Sequence, residues 1–286
     1  MSRIIISTES GADLPYKIVI PNSIEILPMH VAFGSRMLYD GRFDVADADR
    51  FFRESKILPI TSAPNPGEYA RHYREIFEKY PQCRIIHISY SSRLSVSYQN
   101  AVIASKEYPP EKLQVIDSLS GSIGTGALII KACDIIRRLS DKITFDECVS
   151  IISRQRKNIC CSFVPNSLEY LRAGGRISGI THLGASVLSL KPCISIENGS
   201  LEAGKKYRGS LHKIADAFLS DFVSKNNPAR DFLIIGYGYK INKPLLFYLK
   251  RRAHKMGFSK SWCFRTGCAV TAHTGGDCIG FAGLKA

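Results

Sequence analysis

From residue 3 to about residue 157 the chain alternates short apolar runs with helical patterns that open on capping signatures. Such alternation leaves few folds open. Arg3 to Ser7, Arg84 to Ser89 and Gln114 to Asp117 each match the length of a buried strand, and helical stretches lie between them. Asn65-Pro66-Gly67-Glu68 combines a capping residue, proline at the first helical position and a glutamate placed to reach back. Thr144 and Glu147 repeat the capping box before a helix to about Lys157. Strands separated by helices pair in parallel and are covered on both faces. The spacing therefore predicts an α/β unit with a parallel sheet over residues 1–160.

The texture changes after residue 160. Asn166 and Glu169 open a short helix ending at Gly174-Gly175, and a second helix is expected over Ser178 to Leu190. Cys193 to Glu197, Asn198-Gly199 and Ser200 to Ala203 read as a tight hairpin, because Asn-Gly suits paired positive φ angles. Helix, strand, helix and strand patterns follow. The expectation is a smaller α+β domain over residues 161–286.

Composition removes several function classes. The 286 residues carry a formal net charge of +14, but the cations are spread, and no long basic arm or nucleic-acid module is present. Nine cysteines are scattered without a CxxC, which points to reduced, mostly buried thiols and no metal site. No apolar run is long enough to span a bilayer, and Ile4-Ile5-Ile6 is too short for a signal sequence. A cytoplasmic location is expected. A GxSxG elbow, a Walker A loop and a GxGxxG fingerprint are all absent.

Candidate binding residues cluster in polar turns. Parallel sheets collect ligands at the carboxyl ends of their strands. Thr61-Ser62 and the turn Ser89-Tyr90-Ser91-Ser92-Arg93-Leu94-Ser95 are read as lying at such ends, each beside a helix start. Hydroxyls and unpaired amides there suit a carboxylate or phosphate. For either turn alone, plain helix capping is the commoner reading. Arg176, after Gly174-Gly175, is a candidate anion donor or a cation at a helix C-terminus. Arg208 could aim at the same cleft or end a solvated basic strand. His273, before Gly275-Gly276, could donate to an anion, act as a base or be structural.

These segments together resemble the DegV family, in order along nearly the whole chain. Ser7-Thr8-Glu9-Ser10-Gly11-Ala12-Asp13-Leu14-Pro15 is similar to the family's T-D-S-x-A-D-L-P opening, with Glu9 for Asp. Thr61-Ser62-Ala63-Pro64-Asn65-Pro66 resembles T-S-Q-P-S-P, and Ser91 to Ala101 resembles S-S-x-L-S-G-T-Y-Q-S-A. Val115-Ile116-Asp117-Ser118, Leu168 to Ile177, Lys191-Pro192, Lys206 with Arg208, and Ala272-His273-Thr274-Gly275 match further motifs. The resemblance implies a non-catalytic carrier that binds a long-chain fatty acid between two domains. Thr61, Ser62, Ser91 and Ser92 would hold the carboxylate, with His273 closing the polar end and no cofactor. It also implies a separate ATP-dependent fatty acid kinase as partner in phospholipid synthesis, with Arg176 and Arg208 assisting phosphoryl transfer. Membrane contact would be transient.

Two departures stand out. Val96 and Ser97 replace Gly and Thr, implying an altered turn or a narrower pocket. Gly276-Asp277-Cys278 replaces the family's P-G, implying a differently shaped loop. The reading from outside the family is a Ser/His hydrolase of lipid or acyl esters, with Ser92 or Ser95 as nucleophile and His273 as base.

Overall fold

A computed structural model describes residues 3–139, 142–176 and 190–286. The first half contains β1 (Ile4–Glu9), α1 (Tyr16–Val19), β2 (Glu25–Leu27), β3 (His30–Phe33), β4 (Arg36–Tyr39), α2 (Val45–Ser55), β5 (Ile60–Ser62) and α3 (Pro66–Lys79). It continues through β6 (Arg84–Ser89), α4 (Ser97–Ser105), β7 (Leu113–Asp117), α5 (Ile123–Leu139) and α6 (Phe145–Gln155). Next come β8 (Ile159–Pro165), α7 (Glu169–Ala173), β9 (Leu190–Glu197), β10 (Ser200–Arg208) and α8 (Leu211–Asn226). β11 (Leu233–Tyr237), α9 (Lys243–Lys255), β12 (Ser261–Arg265), α10 (Cys268–Thr274) and β13 (Cys278–Leu284) complete the order.

The described strands form three sheets. A four-stranded sheet in the order β2-β1-β6-β7 is parallel throughout, as the alternation predicts. A six-stranded mixed sheet runs β10-β9-β8-β13-β11-β12. The third, β4-β3-β5, is antiparallel. The fold is therefore a parallel α/β region joined to a mixed-sheet domain. Both capping boxes form, at Asn65/Glu68 and at Thr144/Glu147. The β9–β10 turn has positive φ at Asn198 and Gly199.

One helix serves two sheets. Leu128, Ile129 and Ala132 of α5 pack in a core with Ile6, Ile86, Ile88 and Ile116 of the parallel sheet. Ile123 and Ala127 of the same helix pack with Cys161, Ile234 and Ala282 of the mixed sheet. The opposite face of the mixed sheet is closed by α8 and α9. Burying α5 on two sides explains its nearly continuous apolar sequence.

The structure differs from the sequence expectations in four places. The mixed sheet has more strands than the parallel one, six against four, and two of them, β8 and β13, were not foreseen. Both lie inside the sheet, and β13 is buried along its whole length and carries Gly280 and Gly283, so it shows no polar/apolar alternation. The sequence pattern predicts a helix over Ser95 to Tyr108, and the helix formed is shorter, Ser97–Ser105. Of the helix expected over Ser178 to Leu190, residues 178–189 lie outside the described residues, and Leu190 itself begins β9. Thr61 does not end a parallel strand: it sits in β5, paired with Val31 of the antiparallel sheet.

Phe281 of β13 is fully buried, with its ring centroid 4.8 Å from that of Phe218 and 5.8 Å from that of Phe222. Phe281→Ala is expected to destabilise the fold by roughly 3–5 kcal/mol. Urea unfolding at equilibrium checks this, and a loss below about 1 kcal/mol would contradict the central placement of β13.

Candidate functional site

Glu9 ends β1 and is buried. Its carboxylate accepts hydrogen bonds from the Tyr69 hydroxyl at 2.5 Å, the Ser89 hydroxyl at 2.7 Å and the Tyr90 amide at 3.0 Å, and lies 3.0 Å from His87 Nε2. Burial pushes this carboxyl up, but His87 and the hydroxyl donors outweigh it and hold it below the ordinary range. Behind it, Ser7 Oγ lies 2.9 Å from both His87 Nδ1 and His72 Nε2. Burial, with the nearby His87, pushes His72 down to about 3. This chain of polar groups fixes the carboxyl ends of β1 and β6, from which the Tyr90–Ser95 turn departs.

A pair of buried carboxyl groups, Asp13 and Asp40, holds the start of α10. The Gly267 amide donates to Asp13 Oδ1 at 2.6 Å, and the Cys268 amide to Asp40 Oδ1 at 2.8 Å. The Ser122 hydroxyl, just before α5, donates to Asp13, and the Ser10 hydroxyl donates to Asp40 at 2.8 Å. Burial raises both carboxyls, Asp13 to about 8, with the neighbouring Asp40 adding to the rise and the Ser122 and Gly267 donors opposing it.

Fixing α10 fixes His273. His273 Nε2 lies 2.7 Å from Thr61 Oγ1. Burial, and then the charge of Arg176, pushes the imidazole down to about 4, so it is neutral at neutral pH. Its Nδ1 is buried with no hydrogen-bond partner among the described residues, packed where a Cβ at Gly174 would approach to 2.2 Å. With the proton on Nε2, the tautomer that leaves no buried N–H unpaired, the imidazole donates to Thr61. Thr61 then accepts from His273, and its own hydroxyl hydrogen is free to donate elsewhere.

Thr61 and His273 line a cavity with about 950 Å³ of free space, counting its open mouth. Met29, Leu94, Ile123, Phe163, Ile196 and Val270 supply apolar wall, drawn from the parallel, antiparallel and mixed-sheet regions. Among the described residues, no group of three or more His, Cys, Asp or Glu is arranged to hold a metal ion. No helix there is long and apolar enough to cross a membrane.

Of the residues singled out in the sequence, Thr61, Ser62, Arg176 and His273 line this cavity, whereas Ser91, Ser92 and Arg208 do not. The Ser91 hydroxyl donates to the Gly199 carbonyl at 2.8 Å and accepts from the Arg93 amide, which ties the turn to the β9–β10 hairpin. The Ser92 amide donates to Asp117 at 3.2 Å. Arg208 is exposed at the end of β10. The turn instead brings Ser95 to the cavity, its hydroxyl 2.9 Å from that of Ser97. Tyr90 and Ser122 also line it, without having been singled out. Ser122 could have been found from the Gly/Ser-rich segment before α5. Val96 is 59% exposed and is not a wall residue, so it does not narrow the cavity. Among the described residues neither Ser92 nor Ser95, the nucleophiles of the hydrolase reading, hydrogen-bonds His273, whose Nε2 lies against Thr61.

Comparison with known proteins matches this arrangement to one family. A family model described as the uncharacterised DegV family matches residues 3–286, and the chain belongs to that family. DegV domain-containing proteins from Deinococcus radiodurans and Clostridium perfringens are 25% and 29% identical over 282 and 279 residues. The alignments cover 98% of this chain and 97% of the first relative, and 96% of both this chain and the second. A DegV family protein from Thermus thermophilus, described by its fatty acid binding, has the same fold with a TM-score of 0.87 at 24% identity, covering 99% of this chain and all of that one. A stearic acid-binding protein from Eubacterium ventriosum gives 0.83 at 24% identity, covering 100% and 98%. DegV from Bacillus subtilis, described as a fatty acid binding protein, gives 0.82 at 20% identity, covering 99% of each chain.

The raised Asp13 carboxyl carries a pH signature. Between its ordinary value of 3.8 and about 8, the folded state binds more protons at Asp13 than the unfolded state. Stability from this group is full below the lower value and is lost as pH rises through the upper one. The melting-temperature gap between wild type and Asp13→Asn is expected to shift against wild type from pH 5 to pH 8.5. A gap independent of pH would contradict a proton held at Asp13.

Proposed function

We propose that the chain binds a long-chain fatty acid in this cavity as a non-catalytic carrier. The acyl chain lies in a tunnel between residues 1–160 and residues 161–286. The observation that carries the reading is the Thr61–His273 pair, 2.7 Å apart: with the neutral imidazole's proton on Nε2, the Thr61 hydroxyl hydrogen is left for an acceptor in the cavity. A carboxylate is such an acceptor, and once removed from water it must be hydrogen-bonded. Ser62 and Ser95 add hydroxyls, and Arg176 adds a cation at the same cavity. The apolar wall suits the chain, whose burial contributes about 0.8 kcal/mol per CH₂. Relatives described as binding stearic acid or loaded with heptadecanoic acid support the ligand class.

In the same reading, the bound acid is presented to a separate ATP-dependent fatty acid kinase that forms an acyl phosphate. Arg176, lining the cavity, neutralises charge on the transferring oxygens. Arg208, exposed and outside the wall, is assigned to contact with the kinase. The protein acts in the cytoplasm, and its contact with membrane is transient.

Solvent extraction of the purified protein, followed by mass spectrometry, tests the carrier reading. A long-chain acid in near-stoichiometric amount is expected, and neither copurified nor added acid bound would overturn it. Thr61→Val keeps the shape and removes the hydroxyl. It is expected to weaken fatty acid binding about tenfold, the effect of one hydrogen bond to a charged group, as measured by titration calorimetry.

A further inference from the structure

Four donors converge on Asp49, a buried carboxylate on α2. The Tyr170 hydroxyl donates to one oxygen. The Tyr239 hydroxyl at 2.5 Å, Lys240 Nζ at 2.9 Å and Arg53 Nε at 3.0 Å approach the other. Burial pushes this carboxyl up, but the tyrosine and lysine donors outweigh it and hold it at about 2. Asp49 is thus ionised across the physiological range, and its hydrogen bonds are charge-assisted. Three separate parts of the chain meet on it: α2, α7 through Tyr170, and the segment after β11 through Tyr239 and Lys240.

Both phenol rings lie over the turn that ends the His273 helix. A Cβ at Gly275 would stand 3.0 Å from the Tyr170 ring, and one at Gly276 would stand 2.1 Å from the Tyr239 ring. The Lys240 amide donates to the Gly276 carbonyl at 2.9 Å, binding the same turn from its backbone. The helix bearing Tyr170 runs directly into Gly174, which packs against His273 Nδ1. His273 is therefore held between two structures, the Gly275–Gly276 turn and the end of α7, and Asp49 grips a tyrosine belonging to each.

We propose that Asp49 is a positioning residue for His273: by holding Tyr170 and Tyr239 it sets the walls between which the imidazole sits, and so keeps Nε2 on Thr61. The inference rests on the reading of Thr61 and His273 as the carboxylate-binding end. It also accounts for a departure in the sequence. The DegV pattern has proline at the position of Gly276, and a proline Cβ there would meet the Tyr239 ring. In this chain the glycine makes room for the ring that Asp49 holds.

The test compares two probes of equal chain length, palmitic acid and hexadecanol, by titration on the full chain. Asp49→Asn keeps the shape but offers one acceptor oxygen in place of two. It is expected to lower palmitic acid affinity about tenfold while changing hexadecanol affinity less than about twofold, as loss of a supporting hydrogen-bond shell does. Tyr239→Phe keeps the ring over Gly276 and removes its hydroxyl. It is expected to shift the acid/alcohol ratio in the same direction, and it carries the test if Asp49→Asn does not fold. Equal weakening of both probes, or an unchanged ratio in both variants, overturns the positioning role. Wild-type protein that takes up neither probe overturns the carrier reading itself, and this inference with it.

Discussion

Two amides at the start of α10 are held by carboxylates 254 and 228 residues earlier in the chain. The candidate site depends on that attachment. Asp13 and Asp40 hold the N-terminus of this seven-residue helix, Cys268 and Ala269 pack with Met29 and Val31 beside the antiparallel β4-β3-β5 sheet, and His273 thereby keeps its relation to Thr61. Asp13 also receives the Ser122 hydroxyl just before α5, the helix that packs on both larger sheets. One buried carboxyl therefore joins the opening loop, the two-faced helix and the His273 helix. Its energetic character follows from its surroundings: a carboxyl deep in protein beside a second one favours a proton over a charge.

The parallel sheet could be read from the sequence because its signals are local. Capping boxes at Asn65 and Thr144 state where helices begin, and the isoleucine-rich runs state where strands lie. The mixed sheet was harder. A strand buried on both faces, such as β13 with its two glycines, has neither alternation nor β-branched enrichment to announce it. The family resemblance supplied the function class, since motif order survives where periodicity is silent.

The candidate site was legible in part, for a reason of geometry. Thr61 and His273 are 212 residues apart, and no spacing rule joins them. Within the Tyr90–Ser95 turn, sequence could not tell which serine would be spent on the chain's own backbone. Ser91 is taken by Gly199 and Arg93, and Ser95 reaches the cavity one helical turn later. Arg208 looked like Arg176 in composition, but the end of a strand leaves it in solvent. The Glu9–His87–Ser7–His72 chain was invisible as a unit, because its members come from two strands and a helix that meet only after the parallel sheet forms.

The insertion of β13 between β8 and β11 has a consequence for how the chain reaches its native state. Until residues 278–284 arrive, β8 and β11 present unsatisfied edges rich in cysteine, valine and isoleucine. The long sequence separation of these pairings slows their formation. A nascent chain carrying this sheet must therefore spend time with two sticky borders exposed, open to association with other chains. Waiting for residues 278–284 is the kinetic burden that this strand order places on folding.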